Sequence, residues 1–184
     1  MTGTRTAELL ILLYFIALGA SPTFASSDFA VDSIIHLRKN TNGNQVHYGV
    51  RVDGACRPLA ENPVHPYWRM LEVGEGETQE LRFWERPGYG VIQPEKVERT
   101  QSGGEFEFRI RGVKERLIRV ETFRSNAECR ARATTEIDSA PAIFQHIEIT
   151  VSGWATVHRV EIFGSTFAGD AVHEVTFQDD GDSP

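Results

Sequence analysis

Val46-His47-Tyr48-Gly49-Val50-Arg51-Val52-Asp53 alternates apolar and polar residues without a break, the period of a strand with one buried face. The same period returns along the chain. Phe106, Phe108 and Ile110 alternate with Glu105, Glu107, Arg109 and Arg111, and Ile147, Ile149 and Val151 alternate with His146, Glu148 and Thr150. Cys129, Ala131, Ala133, Thr135 and Ile137 form one phase of a further strand, which points Cys129 inward. Less regular strands are expected over 33–38, 64–73, 79–86, 116–124, 155–163 and 172–177. Between the runs lie turn formers: Asn42-Gly43, Asp53-Gly54, Gly103-Gly104, Arg111-Gly112, Ser152-Gly153 and Gly169-Asp170. No stretch of a dozen residues carries a 3.6-residue period, which disfavours parallel βαβ units and the nucleotide folds built from them. About ten short strands with short connections predict an all-β fold, an antiparallel β-sandwich or a flattened, incomplete β-barrel. The pattern does not choose between the two.

The chain has 184 residues. Its start reads as a secretory signal peptide over 1–25: Arg5 gives a positive end, Leu9 to Ala20 is almost continuously apolar, and Thr23-Phe24-Ala25 offers a cleavage site before Ser26. A retained anchor would need roughly 20 apolar residues. The run is shorter, so no membrane insertion is expected after cleavage. A single domain is expected over 26–178, long enough to bury its own core. Asp179-Asp180-Gly181-Asp182-Ser183-Pro184 has no apolar side chain and reads as a disordered acidic tail. Export places the protein in the periplasm or the medium, where its two cysteines, Cys56 and Cys129, are expected to pair. Two separate buried thiols are the alternative. With Lys+Arg 19 against Asp+Glu 26 and a net charge of -7, nucleic acid is not an expected partner.

Catalytic motifs are sparse. His36, His47, His65, His146, His158 and His173 fall on different strands, and none shares the H-x-H or H-x-x-x-H spacing of a local ligand pair. His47 and His146 sit on the polar faces of their strands, and no metal or other cofactor is expected. No G-x-S-x-G elbow is present, and the cysteines are better used as a bridge than as a nucleophile. Glu105 and Glu107 share a face, but the polar one, where carboxylates keep a sheet soluble. Gly74-Glu75-Gly76-Glu77 and Gly88-Tyr89-Gly90 lack the strand-loop-helix setting of a phosphate cradle. The richest segment is His65-Pro66-Tyr67-Trp68-Arg69 with Phe83-Trp84-Glu85-Arg86-Pro87-Gly88-Tyr89-Gly90. It concentrates Tyr67, Trp68, Arg69, Trp84, Arg86 and Tyr89 on expected neighbouring strands, a surface suited to stacking and ion pairing with a ligand. Alternation puts Trp68 with Met70 on one face and Tyr67 with Arg69 on the other. The competing reading is that these rings fill the core while the arginines pair with Glu72 and Glu85.

Several segments in order also carry a family resemblance. Asp32-Ser33-Ile34-Ile35-His36-Leu37-Arg38-Lys39-Asn40, Asn44 to Tyr48, Pro63 to Arg69, Arg86 to Gly90 and Val160-Glu161-Ile162-Phe163-Gly164 resemble the exported bacterial domain-of-unknown-function family 4833 across residues 29–177. The resemblance implies a single domain of this length and brings with it no activity, cofactor or catalytic residue. The function expected on all these grounds is a non-enzymatic exported domain that binds a small ligand or a cell-envelope component. The alternatives are a passive structural module of the envelope and a hydrolase of envelope polymers, the latter requiring histidines and carboxylates from separate strands to meet in one concave site.

Overall fold

The computed structural model describes residues 29–72, 76–152 and 156–177. The leader read over 1–25 and the acidic tail read over 179–184 lie outside the described residues. The rest is all-β, as the alternation requires: β1 (Phe29–Lys39), β2 (Gln45–Val52), β3 (Val64–Met70), β4 (Glu77–Glu80), β5 (Val91–Ile92), β6 (Val97–Thr100), β7 (Gly103–Ile110), β8 (Ile118–Ser125), β9 (Glu128–Ile137), β10 (Ala140–Ser152), β11 (Thr156–Ser165) and β12 (Ala171–Phe177). One helical turn, α1 (Arg86–Tyr89), interrupts them, and a 3-10 turn covers Arg111–Val113.

The strand expected over 79–86 is a correction. β4 ends at Glu80, and the Glu85 carboxylate then accepts the Arg82 backbone N–H at 2.7 Å, while Pro87 sits in the first turn of α1. Proline has no N–H to give a ladder and is preset for a helix start. Trp84 is therefore not on a strand beside Trp68, whose partner on β4 is Gln79.

The strands form one sheet in the order β4-β3-β2-β1-β10-β9-β8-β7-β5, with β11 and β12 branching from β10 and β6 pairing with β7. Neighbours are antiparallel except β1 and β10, which run parallel from His36↔His146 to Lys39↔Ile149. β10 makes the branch possible because it is long. Its first residues pair with β9, its middle pairs with β1, and it runs beside β11 from Ile143 to Ser152. Gly164 lies at this junction, where an added Cβ would stand 2.3 Å from the Ile143 carbonyl oxygen and 2.5 Å from Ile137 Cδ1.

The sheet curls on itself without closing into a barrel. Tyr48 of β2 meets Phe108 of β7 at 6.5 Å between ring centroids, although four strands separate them in the sheet. Between the two wings lies one apolar cluster, including Ile35, Leu37, Val46, Tyr48, Val50, Phe106, Phe108, Ile110, Ile118, Val120, Ile137 and Phe144, all buried. The alternating residues of the opening segment are thus its inner phase. At the seam, side chains replace the missing ladder. Gln93, just after β5, accepts the Val64 N–H at 3.4 Å and donates to the Val64 carbonyl at 2.9 Å. Arg99 of β6 donates to the Pro58 carbonyl at 2.9 Å. Cys56, fully buried after β2, is bonded to Cys129 at the start of β9, joining the two wings across 73 residues of sequence.

Closing a loop of that length restricts the unfolded chain and is worth roughly 4 kcal/mol. Replacing both cysteines by serine is expected to lower unfolding stability by about that amount in urea titration. An unchanged midpoint would show that the bridge does not hold the wings together.

Candidate functional site

The six ligand-binding candidates divide among three places. Trp68 and Tyr89 pack against the core with ring centroids 5.4 Å apart, edge to face. Trp68 Nε1 donates to Glu85 at 3.0 Å, the Tyr89 carbonyl accepts the Tyr48 hydroxyl at 3.0 Å, and Lys39 Nζ lies 4.9 Å from the Tyr89 ring centre. These two rings position α1 and present little surface. Trp84 is exposed beside Phe83, itself 76% exposed, and Arg82 covers one face of the indole. Arg86 is exposed on α1. Tyr67 and Arg69 lie on the opposite, outer face of β3, as alternation requires.

Arg86 borders a groove of about 780 Å³ that follows the open seam between β3 and β5. Buried Val64, Leu81 and Gly90 contribute to its lining, Phe83 and Ile92 supply apolar surface, and Arg51, Arg86, Arg111 and Lys114 supply positive charge against the single carboxylate of Glu80. Close backbone contact brings Arg111 here. Its N–H donates to the Gly90 carbonyl at 2.9 Å, and a Cβ on Gly112 would come within 2.5 Å of the Gly88 carbonyl oxygen. Arg51 donates to His65 Nδ1 at 3.0 Å. Among the described residues, neither the Arg86 nor the Arg111 guanidinium has an ion-pair or hydrogen-bond partner. Arginine forks match carboxylate and phosphate oxygens two at a time, so this pair is equipped to take an oxyanion.

The outer face carries a second feature. Tyr67, His47, His36, His146, Phe163 and His173 are register partners across β3, β2, β1, β10, β11 and β12. Their rings stack in one row with centroids 5.8, 5.3, 5.1, 4.5 and 4.3 Å apart, every pair within 23° of parallel. Glu148 engages His146 and Arg38, and Glu161 engages His173 and Arg159. His47 was expected on a solvated face; it is on that face but only 5% exposed, because its neighbours in the row cover it. Burial lowers its pKa, helped by Arg69. Burial, then His146, His47 and Arg38, push His36 from 6.5 to about 4. Among the described residues no group of three or more His, Cys, Asp or Glu is arranged to hold a metal ion.

Residues 35–175 match the family model described as Domain of unknown function (DUF4833). The chain belongs to this family. No curated protein and no solved structure matches it. The match covers the seam groove and the ring row of this DUF4833 domain from His36 to His173. Among the described residues no helix is long and apolar enough to cross a membrane, and the disulfide is consistent with a compartment outside the reducing cytoplasm.

Within the DUF4833 domain, sequence reasoning missed Arg51, Arg111 and Lys114 of the groove, since they come from separate elements with no shared motif. It also missed the ring row. The only signal was that His36, His47 and His146 each lie on the polar phase of a strand.

The lowered pKa of His36 has a definite sign. The folded state binds fewer protons than the unfolded chain between pH 6.5 and about 4, so stability present above pH 6.5 is lost as the pH falls through that window. His36→Phe keeps a stacking ring and removes the titration. Thermal melts of this variant are expected to fall less between pH 7.5 and 4.5 than those of the unmodified protein. Equal falls would mean that His36 is not held neutral.

Proposed function

We propose that this protein is an exported binding module of the periplasm or the medium that takes an anionic small ligand or cell-envelope component into the seam groove. The observation that carries the reading is the pair of unpartnered guanidinium groups, Arg86 and Arg111, in a concavity whose chain is otherwise acidic. A free surface arginine is ordinary. Four cationic side chains converging on one groove beside exposed Phe83, in a protein of net charge -7, concentrate a local potential opposite to that of the molecule. The apolar contribution of Phe83 and Ile92 favours a ligand with a nonpolar body as well as charge. The leader at the start of the sequence and the Cys56–Cys129 bridge support an exported location.

Of the six candidates, Arg86 and Trp84 remain at or beside this groove, whereas Trp68 and Tyr89 support it from beneath. Tyr67 and Arg69 belong to the outer face.

Nitrogen-15 NMR titration with inorganic phosphate, and with matched anionic and neutral aromatic acids and amides, tests this reading. Shifts are expected to centre on Arg51, Arg86, Arg111 and Lys114 for the anions only and to weaken with added salt. Arg86→Ala with Arg111→Ala is expected to weaken binding by about tenfold or more, the scale of lost charge-assisted hydrogen bonds. Shifts scattered over the surface, or the same response to neutral ligands, would overturn it.

A further inference from the structure

Beside the ring row, strand β1 breaks its regular pairing. The register with β2 shifts between Val31 and Ile35, and within that bulge Ser33 holds a positive φ of 35°. Left-handed backbone at a non-glycine residue is strained, and such strain gathers where a side chain must be aimed. Here it turns the Ser33 hydroxyl onto the His47 ring, with Oγ 2.6 Å from Nδ1. On the far side of the ring, His47 Nε2 lies 2.9 Å from Gln45 Oε1. An amide oxygen only accepts, so Nε2 carries the ring proton and donates it to Gln45. Nδ1 is therefore the bare nitrogen, and the Ser33 hydroxyl has two acceptors in reach, Nδ1 at 2.6 Å and the Ile35 carbonyl at 3.3 Å, of which the ring nitrogen is the nearer. The ring is clamped in this orientation by His36 and Tyr67 on its two faces.

Nucleophile, base and orienting group stand in a hydrogen-bonded line, the arrangement that activates a hydroxyl for attack. Ser33 opens onto a pocket of about 470 Å³ lined also by Tyr67, Arg69, His65 and Glu80. The Arg69 guanidinium, which has no ion-pair or hydrogen-bond partner among the described residues, lines the same pocket and supplies positive charge to it. The pocket shares Arg51, His65 and Glu80 with the seam groove, so the two concavities adjoin. Burial, then Arg69, keeps His47 neutral near pH 7, the state a general base requires.

We propose that Ser33 is a catalytic nucleophile for hydrolysis of carboxylic esters, with His47 as its general base and Gln45 as a positioning residue. Ser33 Oγ bonds to the ester carbonyl carbon while its proton passes to His47 Nδ1, and the oxyanion forms beside Arg69. Collapse breaks the carbon–oxygen bond to the leaving group, which departs as an alcohol with the proton from Nδ1. Water then attacks the acyl-Ser33 ester, again giving a proton to Nδ1. That proton returns to Ser33 as the carboxylic acid leaves, so ester and water become acid and alcohol. An ester is the fitting substrate because the charge-stabilising group is a guanidinium rather than a fixed pair of backbone N–H donors, and an alkoxide leaves more readily than an amide anion, so an ester asks less of the proton donor than an amide does. This chemistry goes beyond the binding role of the groove and does not depend on what the groove binds.

The test is covalent labelling with a fluorophosphonate probe together with 4-nitrophenyl acetate turnover. One adduct per chain at Ser33 and a burst of one equivalent of nitrophenol are expected. Ser33→Ala is expected to abolish both, and Ser33→Gly, which accepts the positive φ of the bulge and so preserves the fold, is expected to do the same. Gln45→Ala is expected to slow labelling at least tenfold. Gln45→Glu is expected to restore it and move the acid limb of its pH profile upward, because a carboxylate stabilises the protonated ring. The other groups facing that ring are Ser33 and His36 from β1 and Tyr67 and Arg69 from β3. No adduct on the unmodified protein, or equal labelling of the Ser33→Gly variant, overturns the assignment. Groove titration by phosphate is unaffected by either result, so the binding role and the ester chemistry fail separately.

Discussion

A twelve-stranded sheet that curls around its own core without closing leaves backbone donors and acceptors at its ends, and burying them unpaired would cost too much. Here the seam between β3 and β5 is bridged by one glutamine amide, which gives Val64 both of the hydrogen bonds a neighbouring strand would have supplied. A side-chain bridge occupies less width than a strand. The gap that remains is the groove, and the residues that reach it come from whichever elements flank the seam: β2, β3, the end of β4 and the segment after it, α1, β5 and the 3-10 turn at Arg111. The disulfide from Cys56 to Cys129 joins the same two wings at a different point, so the opening is a built feature of the fold.

The branch at β10 explains the outer face. Because β10 pairs with β9 and then β1 along one edge and with β11 along the other, six strands lie side by side in one register plane, and one residue from each falls in the same row. Stacked rings cover one another, which is why histidines on a nominally polar face lose solvent. Burial lowers the pKa of His36 and of His47, with His146, His47 and Arg38 adding to the effect at His36 and Arg69 at His47. The bulge at Ser33 then sets a hydroxyl against the end of one of these rings. Charge is segregated along with shape: carboxylates Glu148 and Glu161 flank one part of the row, while cations gather at the seam.

Much of the fold was legible because strand alternation is a local property. Val46 to Val52 and Phe106 to Ile110 read as half-buried strands, and the inner phase of each is the core. The pairing of Cys56 with Cys129 was legible from the expectation of export and an even cysteine count. The parallel contact between β1 and β10 was not, since register and strand order depend on distant partners that no local pattern records. The strand expected over 79–86 failed where Pro87 and the Glu85 carboxylate build a helix start. Among the ligand-binding candidates, Arg86 was legible from its setting among aromatic residues, but its companions Arg51, Arg111 and Lys114 were visible only once the seam brought their separate elements together. The Ser33, His47 and Gln45 line was hidden for the same reason, because it needs a bulge in β1 to point a strand serine across to β2.

The most direct measurement of the central claim is amide hydrogen exchange at Val64 in the unmodified protein and in a Gln93→Leu variant. If a side chain alone bridges the seam, the Val64 amide is protected in the first and exchanges about tenfold faster in the second, the equivalent of about 1.4 kcal/mol for a lost hydrogen bond, while amides within the β2 ladder stay unchanged. Equal protection of Val64 in both proteins would contradict the account, since it would mean that backbone pairing closes the sheet and leaves no seam.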